Sequence, residues 1–383
     1  MKKVLCFLII LFLSINIVKG EENTLAPGAK SAILIEQSTG KILYEFNSHE
    51  KRNPASMTKI MSMLLIMEAL EKNQIKMDQV VTVSANASSM GGSQILLEEG
   101  EKMKVEDLLK GVAIASGNDA VVALAETVAG SEANFVKMMN EKVKQLGLSD
   151  TNFKNCHGLD EEGHYSSAYD MAHIARELIK HEKILEFSSI YDTYLRENTD
   201  RKIWLVNTNK LVKFKSGVDG LKTGYTKDAG YCLTATMKKD NMRVVATVMG
   251  EENPSTRNSE VSALLDYAYS QVGIKKVIPK NKVLKEISIS KAKEDSIEIV
   301  PKEDVNILYK KSEKNPKTTY KIKLDKIDLP IKKGDKVGKL DLYEGSNKVN
   351  TIDLTVNRNI KKCNLIELYL KNLKTMITGD INF

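Results

Sequence analysis

Residues 53–60, NPASMTKI, set a serine and a lysine three positions apart at the head of the apolar run MSMLLIMEAL. On a helix, residues at i and i+3 share a face, so Ser56 and Lys59 would meet. A serine hydroxyl attacks poorly until a base takes its proton, and a lysine desolvated on a buried helix gives up its own proton more readily. Such a pair could open a carbonyl and hold it as an acyl-serine. The plainer alternative is a helix start, with Ser56 or Thr58 as cap and Pro54 in the first turn. Spacing alone does not choose, because Ser38/Lys41, Ser48/Lys51, Ser288/Lys291 and Ser290/Lys293 repeat it.

Two further stretches carry polar groups of the right kind. IASGNDA holds Ser116 and Asn118, and GLKTGYT holds Lys222, Thr223 and Gly224. Ser-x-Asn is weak by itself, since Ser84 and Asn86 repeat it, but Lys-Thr-Gly occurs once. The order Ser-x-x-Lys, Ser-x-Asn, Lys-Thr-Gly is the informative feature.

The elements that must position these groups can be read from periodicity. Residues 31–46 read as two strands joined at STG. Residues 56–72 are apolar around nearly the whole helical circumference, which predicts a central, buried helix. Helical patterns follow at 105–115, 118–129, 132–146 and 166–181. GVDGLKTG, AGYCLTATMKK and MRVVATVMG then read as a meander, closed by a helix at 258–272. A sheet built from both ends around a helical insertion gives an α+β fold. Of the five Ser-x-x-Lys matches, only Ser56/Lys59 falls on a helix. Ser38 sits in the hairpin turn, Ser48 in a polar loop, and Ser288 and Ser290 on strands, where i+3 points to the other face.

From 274 to 355 alternating Lys, Ile and Val predict a small all-β domain. The tail, residues 358–377, reads as an amphipathic helix. Lys361, Asn364, Glu367, Lys371 and Lys374 form one face, and Ile366, Tyr369, Leu370, Leu373, Met376 and Ile377 the other, widened by Leu365 and Leu368. Such a helix either packs on the β domain or lies on a membrane surface; its charges bar it from spanning one.

Residues 1–20 have a lysine start, an apolar centre and small residues before Glu21, the pattern of a secretory signal peptide. Removing them takes three lysines and no acid, so a net charge of +7 becomes +4. No basic stripe interleaved with aromatics suggests nucleic acid. Cys156, Cys232 and Cys363 are too sparse for a disulfide framework, and no Cys/His spacing suggests a metal. His157 and His173 read as structural.

The three motifs in this order, together with KTGYTKDAGYCL, NCHGLD and the hairpin at 31–46, resemble the serine D-alanyl-D-alanine carboxypeptidases, the low-molecular-mass penicillin-binding proteins. The resemblance implies a β-lactamase/transpeptidase-like catalytic domain over 26–273, a β-rich domain over 274–355 and a membrane-anchoring helix over 356–383. It implies Ser56 as nucleophile and Lys59 as its base. Ser116 would relay the proton to the leaving amine, and Asn118 would hold Lys59 and the substrate amide. Lys222, Thr223 and Gly224 would form the substrate strand, with Lys222 and Thr223 on the terminal carboxylate. The backbone N–H groups of Ser56 and Tyr225 would form an oxyanion hole, and Arg257 would be an additional carboxylate-facing group. The substrate would be a peptidoglycan stem peptide ending in D-Ala-D-Ala, with β-lactams as covalent inhibitors, no cofactor, and a location at the outer face of the cytoplasmic membrane. D,D-transpeptidase, β-lactamase and inert wall-binding scaffold are the alternatives. Two departures stand out. Cys156 replaces a proline common in relatives, and the Glu-x-x-Leu-Asn stretch that activates water in class A β-lactamases is missing, Glu182 being the nearest candidate.

Overall fold

The computed structural model describes residues 25–313 and 317–378; the expected signal peptide lies outside them. The main sheet has five antiparallel strands in the order Ile42–Phe46, Ser31–Glu36, Met242–Glu251, Gly230–Lys239 and Val218–Thr226. The hairpin and the meander thus join in one sheet, as the α+β reading expects. Alternation along Ser31–Glu36 sends Ile33 and Ile35 to one core and Ala32 and Leu34 to the other. At the hairpin turn the Glu36 carboxylate accepts from the hydroxyls of Ser38 and Thr39, so Ser38 is occupied there.

The helical insertion covers one face. Helix Lys59–Glu71 is buried at every residue from Lys59 to Met67, and it packs against Asn118–Ala129, Glu132–Gln145 and Ala168–Leu178. The expected helix over 56–72 is divided, however: Ala55–Thr58 forms a 3-10 turn, and the α-helix begins at Lys59. Helix Pro254–Gln271 covers the opposite face. It starts four residues before the expected 258, because the Asn253 side chain caps it by accepting from Thr256 N (2.9 Å) and Pro254 fits the first turn.

That helix runs directly into strand Val272–Ile278, which pairs with Val305–Lys310. A second five-stranded antiparallel sheet follows, Lys285–Ile287, Ile297–Pro301, Asn347–Val356, Gly338–Glu344 and Thr318–Leu324, over a core that includes Ile299, Leu340 and Leu354. Ser288 and Ser290 lie just beyond a strand end, not on strands, and Ser288 Oγ donates to Asp295 O.

The tail helix spans Leu365–Thr378, seven residues shorter at its start than the expected 358. Ile360 pairs with Ile331 and is buried in the β core, and Cys363 N donates to Lys291 O. Lys361 therefore lies outside the helix, and Asn364 is its cap, accepting from Glu367 N (2.9 Å) while its own N–H donates to the Glu367 carboxylate. The helix's polar edge faces the β domain: Lys293 pairs with Glu367, and Lys371 donates to Ala292 O and Glu294 O. Leu365, Ile366, Tyr369, Leu370, Met376 and Ile377 are exposed.

Candidate active site

Ser56 sits in a tightly determined turn. Ala55, wholly buried, has φ +46, a left-handed conformation that a non-glycine residue adopts only when its surroundings impose it. Its N–H donates to Asn53 Oδ1 (2.9 Å), and Met57 N donates to Pro54 O (3.1 Å). One turn on, Lys59 is fully buried. Its Nζ lies 2.6 Å from Asn118 Oδ1, 2.6 Å from His157 O and 3.0 Å from Ser56 Oγ.

Burial lowers the Lys59 pKa to about 7, against opposing attraction from Cys156 and Asp119. A neutral amine has two N–H bonds and one lone pair. Asn118 Oδ1 and His157 O, both acceptors only, take the two N–H bonds. The lone pair is left for the Ser56 hydroxyl, which can then donate its proton to Nζ. None of the other Ser-x-x-Lys matches has such a contact.

Ser116 ends helix Val105–Ala115 in a left-handed conformation, φ +66, one residue before the glycine that caps Asn118–Ala129. Its Oγ is buried and has no hydrogen-bond partner among the described residues. A buried hydroxyl left unpaired is costly and points to a role outside the resting structure. The Asn118 amide is fixed at both ends, since its Nδ2 donates to Gly91 O (2.7 Å).

The Lys222 side chain is fully buried on strand Val218–Thr226, its Nζ donating to Thr223 O (2.9 Å). Burial first, then the Lys59 and Arg257 charges, push its pKa well below the usual lysine range. Repulsion between the two lysines therefore falls on Lys222; burial alone accounts for the lowering at Lys59. Arg257 is buried on the opening turn of its helix, held on Asn258 Oδ1 and close enough to act on Lys222. Thr223 is buried, whereas the Tyr225 ring is exposed and stacks on Tyr231 at 4.3 Å. Gly224 explains how near this strand comes to the Ser56 turn: a Cβ there would stand 2.8 Å from Pro54 O and 3.1 Å from Ala55 Cβ.

Sequence reasoning missed the clamp that holds this turn. In the 151–166 segment the His157 carbonyl fixes Lys59, Cys156 O accepts from Ser62 Oγ (2.6 Å), and His164 Nε2 meets Thr58 Oγ1 (2.8 Å). The His157 ring itself stays neutral, its pKa lowered to about 4 by burial and then by Lys59. A backbone carbonyl leaves no mark on residue type, so only the glycine of NCHGLD could have signalled the contact. At Gly158, φ +91, a Cβ would fall 1.9 Å from Ala55 O. Gly158→Ala is therefore expected to displace the Ser56 turn and slow penicillin acylation by about 10²-fold, measured by stopped-flow, since small misplacements of reacting groups have effects of that size.

Asp119 is a second residue the motifs did not reveal. Its buried carboxylate accepts from the N–H groups of Ile95 and Leu97, tying the 91–97 loop beneath Asn118. Glu182 is elsewhere, beside His181, which pairs with Glu71 at the far end of the Lys59–Glu71 helix, roughly 18 Å along its axis. Among the described residues no group of three or more His, Cys, Asp or Glu side chains could hold a metal.

Comparison with known proteins identifies the family. The D-alanyl-D-alanine carboxypeptidase family model matches residues 19–253, and that of the penicillin-binding protein 5 C-terminal domain matches 274–362. The chain is 53% identical over 343 residues to D-alanyl-D-alanine carboxypeptidase DacF of Bacillus subtilis, covering 89% of this chain and 88% of that one. It is 34% identical to DacD of Escherichia coli over 84% of each chain. Penicillin-binding protein 5 from Haemophilus influenzae superimposes with a TM-score of 0.70 at 31% identity, over 88% of this chain and 98% of that one. Penicillin-binding protein D2 from Listeria monocytogenes in its cefotaxime-bound form gives 0.57 at 30% identity, over 63% and 97%. The chain belongs to the D-alanyl-D-alanine carboxypeptidases, the penicillin-binding serine peptidases of peptidoglycan.

Proposed function

We propose that Ser56 is the nucleophile of this carboxypeptidase and that neutral Lys59 is its base. The observation that carries the assignment is the three-way contact of Lys59 Nζ with two fixed acceptors and the Ser56 hydroxyl. Ser56 Oγ attacks the penultimate D-Ala carbonyl as its proton passes to Lys59. The C–N bond then breaks, and the proton reaches the departing D-alanine amine through Ser116, whose buried hydroxyl is unpartnered among the described residues. Water hydrolyses the acyl-serine and restores both groups. Lys222 and Thr223 receive the terminal carboxylate; an anion arriving there relieves the burial that depresses Lys222. The close approach at Gly224 supports an oxyanion hole formed by the Ser56 and Tyr225 N–H groups.

The chain would work exported, at the outer face of the cytoplasmic membrane. What supports this is the tail helix, whose polar edge is on the β domain while its apolar side chains face outward. A core-packing helix would do the reverse. No helix among the described residues is long and apolar enough to cross a membrane, which suits a surface-lying anchor.

One experiment tests both parts. The protein should release the C-terminal alanine from a soluble peptide ending in D-Ala-D-Ala and not from the same peptide ending in L-Ala-L-Ala. A chain ending at Cys363, which keeps the buried Ile360, should do so equally well yet no longer sediment with anionic vesicles. Equal release from both peptides would overturn the stereochemical reading. Equal sedimentation of the two chains would overturn the anchor.

A further inference from the structure

Trp204 is the only tryptophan in the chain, and it is 56% exposed. It lies on a two-stranded ribbon, Asp192–Leu195 paired with Ile203–Val206, directly opposite Tyr194. Alternation sends Leu195 and Leu205 into the core and turns Tyr194 and Trp204 out together. Their rings are 6.5 Å apart and inclined by only 26°. Each ring has a polar contact: Trp204 Nε1 donates to Asp192 Oδ2 (2.9 Å), and the Lys202 ammonium stands 4.1 Å from the Tyr194 ring centre.

The ribbon is wired to both walls of the active site. Beyond it, Thr208 N donates to Ile114 O, two residues before Ser116, and Asn209 Nδ2 donates to Gly220 O, two before Lys222. On its other side Arg196 and Arg201 bind Glu101 and the carbonyls of Ile95 and Leu96. That loop begins at Gly91, whose carbonyl fixes Asn118. Between ribbon and loop runs a groove of about 430 Å³.

We propose that this ribbon is a subsite for the N-acetylated amino sugar to which the stem peptide is attached. The proposal rests on the peptidoglycan reading and extends it from the peptide to the glycan. A pyranose ring has an apolar C–H face and a polar rim. Two outward-turned aromatic rings, with Trp204 next in sequence to the groove residues Lys202 and Ile203, offer both, and Tyr and Trp are enriched at interfaces where one end is apolar and the other wet. Peptide length bounds where the sugar can sit. An extended peptide spans about 3.3–3.6 Å per residue, so the sugar on a five-residue stem lies roughly 12–15 Å from the scissile carbonyl. It must therefore rest on elements adjoining the cleft rather than within it.

The test compares one pentapeptide ending in D-Ala-D-Ala, free and attached to its disaccharide. Wild type should show a kcat/KM about three- to tenfold higher for the disaccharide form. Trp204→Ala and Tyr194→Ala should each erase that ratio while leaving the free pentapeptide and the rate of penicillin acylation unchanged. In Ser56→Ala protein, titration with the disaccharide-peptide should change the emission of the single tryptophan, and the free peptide should not. No wild-type preference, an emission change with the free peptide alone, or equal losses with both substrates and penicillin would overturn the subsite. Failure to release D-alanine from either substrate would instead count against the peptidase reading, and the emission titration would still decide the sugar question.

Discussion

Lys59→Arg should leave the fold in place and slow penicillin acylation by about 10²–10⁴-fold, the usual contribution of a positioned general base. Arginine retains its proton under all accessible conditions, so it cannot accept one from Ser56. In wild type the burial that lowers the Lys59 pKa to about 7 makes the free amine available near neutrality. The fraction of free amine grows as pH rises, so acylation should climb through a limb centred near pH 7 and level off above it. Lys59→Arg should abolish that limb. Lys59→Met, similar in volume and without charge, guards against a purely steric effect and should show the same loss. Pre-steady-state acylation across pH 5–9, with circular dichroism for the fold, checks all three. An arginine variant that keeps more than a tenth of the rate would remove Lys59 from the role.

Lys222→Ala should lower kcat/KM for a D-Ala-D-Ala peptide and the acylation rate of penicillin together, each by about 10–10²-fold, the scale of a hydrogen bond to a charged group. Both ligands present a carboxylate, and Lys222 is a fully buried amine that donates to the Thr223 carbonyl. Circular dichroism and thermal unfolding of the variant, which leaves a cavity where a fully buried side chain stood, check that the fold is kept. That separates a loss of binding from a loss of structure. Unchanged kinetics with both ligands would take Lys222 out of the site.

Much of this site is legible in the sequence because its side chains act through residue type. A serine and a lysine one turn apart on an all-round apolar helix carry their own chemical meaning, and Lys-Thr-Gly ahead of a strand turn does the same. The main sheet was legible as well, since short apolar, strand-like runs and the STG turn marked its strands. What remained hidden acts through backbone. The carbonyls of His157 and Cys156, the left-handed turn at Ala55 and the close approach at Gly158 depend on segments about a hundred residues apart, and no local pattern encodes them. Asp119 was hidden differently: it looked like ordinary helix-start acid, yet it binds backbone N–H groups of a loop more than twenty residues upstream. Element boundaries moved wherever a cap overrode periodicity, as at Asn253 and Asn364.

Glu182, the nearest sequence match to the water-activating glutamate of class A β-lactamases, lies at the far end of the buried helix from Ser56. An acyl-enzyme formed with penicillin should therefore persist for minutes or longer. Intact-mass spectrometry of the protein incubated with penicillin measures this directly. Wild type should gain the mass of one penicillin molecule, with the modified peptide mapping to Ser56, while Ser56→Ala gains nothing. A mass shift that survives in Ser56→Ala would contradict the assignment of the nucleophile.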